Sequence, residues 1–155
     1  AYAFNPERVI VTGYSGGGAI ASLTAMYRPH YFKGVVSFCK GLMLRDTPTG
    51  EPNRYWPSDV PNLSDDDFET TRSYGIRWAF VTGENDFNHR SSLAIAPHWR
   101  DIGLDFRIFD IPGWEHQLPQ PEVFNPWFDR VLRWIEGEDV KGAEPRFDMY
   151  DLDGD

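Results

Sequence analysis

The sequence predicts an α/β fold, a mostly parallel sheet with helices on both faces. Three observations predict it. Short runs of β-formers alternate with helical segments. A glycine-rich turn joins the first strand directly to the first helix. The residues with chemical potential, a serine, an aspartate and a histidine, each follow a strand end. The order is strand–helix–strand–loop–strand–helix–strand–helix, an alternation that implies a parallel sheet with its sites at the carboxyl ends of the strands.

Arg8-Val9-Ile10-Val11-Thr12 is a short buried strand, bounded by Asn5-Pro6 before it. Gly16 to Arg28 is rich in Ala, Leu and Met and reads as a helix that Pro29 stops. Gly34-Val35-Val36-Ser37-Phe38-Cys39 is a second buried strand. From Lys40 to about Tyr74 the chain reads as a long irregular loop with Pro48, Pro52, Pro57 and Pro61, the form of a lid or a binding insertion. Within it Asp65-Asp66-Asp67 reads as a solvated turn or a helix start capped by Ser64, with a metal role as the alternative. Ile76 to Thr82 is a third strand, Ser91 to Ile102 a helix ended by Gly103, and Asp105 to Ile111 a fourth strand ended by Pro112-Gly113. Pro121 to Glu136 is an amphipathic helix with Phe124, Trp127, Phe128, Val131, Leu132 and Ile135 on its core face.

The bulk numbers suit one packed domain. The chain has 155 residues, 41% hydrophobic and 25% charged, which fits a globular core rather than disorder. No apolar run approaches the ~20 residues that span a bilayer. A net charge of −9 argues against sequence-independent nucleic-acid binding and against docking on anionic membranes. Cys39 is the only cysteine, so no disulfide forms within the sequence.

Gly13-Tyr14-Ser15-Gly16-Gly17 is the most informative stretch. A Gly-x-Ser-x-Gly pattern alone is a weak signal. Strand, then this pattern, then helix is the context of a nucleophile elbow. Ser15 is expected on a tight, strained turn that lifts its hydroxyl above the sheet. Side chains at Gly13 and Gly17 are expected to collide with the neighbouring strand and helix. The helix start aims its positive dipole end at the site, and the Gly16 backbone N–H is an oxyanion donor.

Asp86 follows the third strand in Thr82-Gly83-Glu84-Asn85-Asp86, and His116 follows the fourth in Pro112-Gly113-Trp114-Glu115-His116. A serine alcohol is a poor nucleophile until a base takes its proton. His116 can take that proton and later deliver it to the leaving group, while Asp86 fixes the imidazole tautomer. The alternatives are an Asx turn at Asp86 and a surface loop histidine at His116. Glu84 is the second candidate acid and reads as a rim residue. His89, His98 and His30 read as solvent-facing, surface and turn residues. No histidine pair has metal-ligand spacing. Tyr14, Trp114, Trp56 and Tyr55 are pocket candidates, with core or rim packing as the alternative.

On these blocks, with Asn5 to Gly18 and Tyr31-Phe32-Lys33-Gly34-Val35-Val36, the sequence resembles the C-terminal half of an α/β-hydrolase from about Asn5 to Gly137. It is most similar to the poly(3-hydroxybutyrate) depolymerase and feruloyl-esterase-like group. The resemblance implies Ser15 as nucleophile, Asp86 as acid and His116 as base, acting on a small or polymeric ester without a metal or organic cofactor. It also implies a secreted or periplasmic setting. The group places several strands and a helix before the elbow, where this sequence has only Ala1 to Glu7. The expectation is therefore a fragment at 1–137 with impaired activity and an exposed sheet edge, because one oxyanion donor is worth ~10²–10³ in rate.

Residues 138–155 read as an acidic linker or tail. Asp151, Asp153 and Asp155 fall at the first, third and fifth positions of an EF-hand loop, half a calcium site at most. Two other functions compete with an esterase: a serine peptidase of the prolyl-oligopeptidase type, and a non-catalytic binding module of the same fold.

Overall fold

The computed structural model describes residues 5–44, 47, 49, 52–55, 57, 63–118 and 120–140, without the side chains of Pro6 and of residues 122–125. Four strands form one sheet in sequence order: β1 (Ile10–Tyr14), β2 (Gly34–Phe38), β3 (Arg77–Gly83) and β4 (Asp105–Ile111). Every neighbouring pair is parallel, with Tyr14 beside Phe38, Phe38 beside Val81 and Val81 beside Phe109. All four carboxyl ends therefore lie along one rim, with β3 and β4 pairing two residues further, through Gly83 and Ile111.

Four helices cover the sheet: α1 (Gly16–Tyr27), α2 (Asp65–Ser73), α3 (His89–Asp101) and α4 (Pro121–Ile135). Alternation along the strands decides which face each side chain serves. Val35, Trp78, Phe80 and Ile108 pack with Ala25 and Met26 of α1, Phe68 of α2 and Ile95 and Trp99 of α3. Val36, Ala79, Val81 and Phe109 point the other way and pack with Val131, Trp134 and Ile135 of α4. Both faces are buried, which is why β2 and β3 read as continuous apolar runs rather than alternating ones. The predicted α/β class, with helices on both faces, is the observed one.

The aromatic packing is directional. Trp99 meets Trp78 and Phe80 edge-on, with ring centroids 5.4 and 4.7 Å apart. Trp134 donates its indole N–H to the Trp78 carbonyl at 3.2 Å. The Arg77 and Arg107 guanidinium carbons lie 4.3 and 4.4 Å from its ring centroid. Residues 138–140 continue this closure: Arg107 pairs with Asp139 at 3.1 Å, and Val140 is buried.

Several expectations need correction. The first strand runs from Ile10 to Tyr14, not Arg8 to Thr12, because Pro6–Arg8 forms a 3-10 turn and pairing with β2 begins at Ile10. Its residues are half-buried, and Thr12 exposed, rather than buried, since β1 is the outermost strand among the described residues. The stretch from Lys40 to Tyr74 is not irregular throughout: α2 occupies its last part. There the Ser64 hydroxyl accepts from the Asp67 N–H while the Asp67 carboxylate accepts from the Ser64 N–H, a reciprocal capping box. These bonds hold the Asp67 carboxyl below its ordinary range. Phe128 is 40% exposed rather than core-facing. The side chain of Phe124, and the positions of Trp56, Asp151, Asp153 and Asp155, lie outside what is described. Among the described residues no helix is long and apolar enough to cross a membrane.

Candidate active site

Ser15 sits between β1 and α1 with φ 52° and ψ −125°. A positive φ at a residue with a Cβ costs roughly 1–3 kcal/mol and persists only where the surroundings dictate it. Two features dictate it here. The Ser15 N–H bonds the Phe38 carbonyl at 2.8 Å, so the turn is tied to β2. A Cβ on Gly13 would lie 2.0 Å from the Gly17 carbonyl oxygen, so only glycine lets the strand pass so close to the helix start. The matching expectation for Gly17 is wrong: a Cβ there meets nothing within 4 Å. The second tight position is Gly18, where it would meet the Lys40 carbonyl at 3.0 Å. Gly16 opens α1, so its N–H has no carbonyl of its own helix to bond and is available beside the serine hydroxyl.

The loops after β3 and β4 are laced together. Glu84 N–H bonds the Ile111 carbonyl at 3.1 Å, and Asn85 N–H bonds the Trp114 carbonyl at 2.9 Å. Glu84 accepts from the Gly113 N–H at 3.0 Å, which makes it a rim residue that shapes the turn. A Cβ on Gly83 would lie 2.2 Å from the Trp114 carbonyl oxygen, so this close approach also needs glycine. Trp114 is buried in the core beneath the loop.

This lacing brings the three singled-out side chains together. The Ser15 hydroxyl lies 3.1 Å from His116 Nε2, and His116 Nδ1 lies 2.8 Å from Asp86 Oδ1. With the ring proton on Nδ1, the serine donates to the imidazole and the imidazole donates to the carboxylate. Asp86 accepts a further bond from the Asn88 N–H at 2.7 Å, and its side chain is 0% exposed. Tyr14 donates its phenol to the His116 carbonyl at 3.1 Å. Burial, then the nearby Cys39 and Asp86, raises the phenol's pKa, so Tyr14 stays a donor at neutral pH.

Three neighbours were given no part in this site from the sequence. Phe87 is 77% exposed, yet its ring centroid lies 4.0 Å from that of His116. Asn88 bonds both Asp86 and, through its amide at 3.0 Å, the Cys39 carbonyl. The Asx turn weighed at Asp86 does form, its Oδ1 accepting from the Asn88 N–H two residues on. The third is His89, expected to face solvent. It is 9% exposed and bonds Asp110 through Nε2 at 2.9 Å. As the first residue of α3 it turns toward the sheet, where Asp110 is the last residue but one of β4.

Tyr55 is exposed, and His30 stacks on Tyr31 with centroids 4.1 Å apart. Cys39, Asp86 and His116 offer donor atoms within 4.8 Å of one another, a grouping that an ion could use. Without a bound ion, burial first and Asp86 second push the Cys39 thiol up to about 12.

A strained serine between strand and helix, on a parallel sheet with both faces covered, defines the α/β-hydrolase fold, and the chain has that fold. Solved structures agree. An uncharacterized protein of Bacillus cereus superposes with TM-score 0.59 at 16% identity, over 83% of this chain and 37% of its own. The fluorophosphonate-binding serine hydrolase FphF of Staphylococcus aureus gives 0.54 at 12%, over 86% and 56%. A ferulic acid esterase gives 0.55 at 15%, over 84% and 52%. The chain thus spans between 37% and 56% of the length of these proteins. No family model matches the sequence, and no curated protein matches it.

Proposed function

We propose that this chain carries the catalytic residues of a serine hydrolase acting on carboxylic esters. One observation carries the reading: the unbroken hydrogen-bonded row from Ser15 through His116 to Asp86. The names of two structural neighbours, a ferulic acid esterase and a serine hydrolase, support it.

In the proposed reaction Ser15 Oγ attacks the ester carbonyl carbon while its proton passes to His116 Nε2. The carbonyl electrons move onto oxygen, where the Gly16 N–H and the positive end of α1 stabilise the charge. Collapse of this intermediate breaks the bond to the alcohol, and His116 returns the proton to the leaving oxygen. Water then repeats the sequence on the acyl-serine, with His116 as base. Asp86 holds the Nδ1–H tautomer and balances the imidazolium. Phe87, lying on the imidazole, shields one ring face from water and offers an apolar surface to the incoming ester.

A panel of p-nitrophenyl esters and aminoacyl anilides tests the proposal. Ester turnover that vanishes in Ser15→Ala supports it. Turnover of anilides alone assigns a peptidase and contradicts it, as does ester turnover that persists in Ser15→Ala.

A further inference from the structure

We propose that Cys39 is a positioning residue whose thiol donates to the second carboxylate oxygen of Asp86 and so fixes the acid against His116. Its catalytic consequence rests on the proposed function; the hydrogen bond itself does not.

The need for a donor is visible at Asp86. An ionised carboxylate offers about four lone-pair sites. Oδ1 uses two, accepting from the Asn88 N–H and from His116 Nδ1. Oδ2 is buried and has no partner at ordinary hydrogen-bond geometry among the described residues. A buried anionic oxygen left bare is unstable relative to one that is bonded.

The thiol is placed to meet that need. Cys39 is buried, and its sulfur lies within 4.8 Å of an Asp86 carboxylate oxygen and a His116 ring nitrogen. Its backbone is held from both sides. The N–H bonds the Val81 carbonyl at 2.7 Å, and the carbonyl accepts from the Asn88 amide at 3.0 Å. Asn88 in turn bonds Asp86. Asn88 thus links Cys39 to Asp86. Cys39 has φ 60°, a left-handed conformation that a non-glycine residue keeps only where its neighbours enforce it.

In this structure the thiol's one proton faces the Gln117 carbonyl, 3.6 Å from the sulfur, and the Asp86 carboxylate, within 4.8 Å, is the competing acceptor. The carboxylate is charged and forms the stronger bond. Burial and Asp86 also keep the thiol protonated at neutral pH, so it acts as a donor and not as a nucleophile.

Because Cys39 is the sole cysteine, its S–H stretch can be observed without interference. Infrared or Raman spectra of the chain should show a strongly downshifted S–H band that moves toward the free-thiol frequency in Asp86→Asn. A band already at the free-thiol frequency in the unaltered chain overturns the proposal, and this readout requires neither turnover nor a Cys39 variant. Cys39→Ala should lower kcat about tenfold with KM little changed, the size expected for losing one bond to a charged group. It should also move the acid limb of the rate profile. Cys39→Ser, which retains a donor, should restore both. Equal kcat and superimposable rate profiles for the parent, Cys39→Ala and Cys39→Ser overturn the proposal and leave only a packing role. Fluorophosphonate labelling of Ser15 reports on the proposed function separately, so the two readings fail independently.

Discussion

Two aspartate–histidine pairs tie the end of β3 to the end of β4, and they are built for different work. His116 and Asp86 pair at 2.8 Å, and His89 and Asp110 pair at 2.9 Å. In the first pair the acid comes from the β3 side and the histidine from the β4 side. In the second the assignment is reversed. The first pair ends on a strained serine hydroxyl at the rim. The second lies under α3, where Ser92 and Thr82 are buried with hydroxyls that have no partner among the described residues. Identical functional groups at nearly identical distances therefore make a proposed proton relay in one place and a structural tie in the other. What separates them is the strained serine hydroxyl at the end of the first row, not the pair itself.

Removing each histidine tests this contrast most severely. His116→Ala should lower ester turnover by roughly 10⁴–10⁶-fold. His89→Ala should leave turnover within about threefold while costing about 1–3 kcal/mol of stability, because Asp110 loses its partner. Thermal melts and kinetics on both variants check this; a turnover defect in His89→Ala as large as that of His116→Ala would erase the distinction.

Exchanging the acids comes next. Asp86→Asn should reduce kcat by about 10⁴-fold by presenting the wrong tautomer to Ser15, whereas Asp110→Asn should spare kcat. A smaller effect is expected at Phe87. Phe87→Ala should lower kcat/KM by about 2- to 10-fold, since an aromatic contact contributes ~0.5–1.5 kcal/mol.

The smallest effect is on stability at alkaline pH. The folded-state pKa of Cys39 is raised to about 12, above the ~8.5 of an unperturbed thiol. A raised pKa means that the folded state holds the proton more tightly. Its stabilising contribution is complete below about pH 8.5 and is lost as pH climbs toward 12. Denaturation across that window should be steeper for the parent than for Cys39→Ala.

The contrast also explains what was legible in the sequence. The elbow was readable because strand–Gly-x-Ser-x-Gly–helix demands glycine at Gly13, and the geometry at Gly13 bears that out. Asp86 and His116 were readable from chain order, since parallel strands bring their carboxyl ends to one rim. Which face His89 would choose was not readable, because the first residue of a helix has no periodicity behind it. α2 was legible only as a helix start capped by Ser64, because Asp-Asp-Asp-Phe-Glu-Thr-Thr-Arg-Ser buries only Phe68 and Thr71, too few to show an apolar stripe. Gly17 was misjudged because the motif assigns clashes by position, whereas the observed close approach to the β2 side falls at Gly18. The first strand's ends shifted by two residues because pairing, not hydrophobicity, sets them.

Fluorophosphonate labelling followed by peptide mapping tests the central claim most directly. The account predicts a single adduct on Ser15 that forms at the same rate in His89→Ala and is nearly abolished in His116→Ala. Labelling at another residue, or unchanged labelling of Ser15 in His116→Ala, would contradict it.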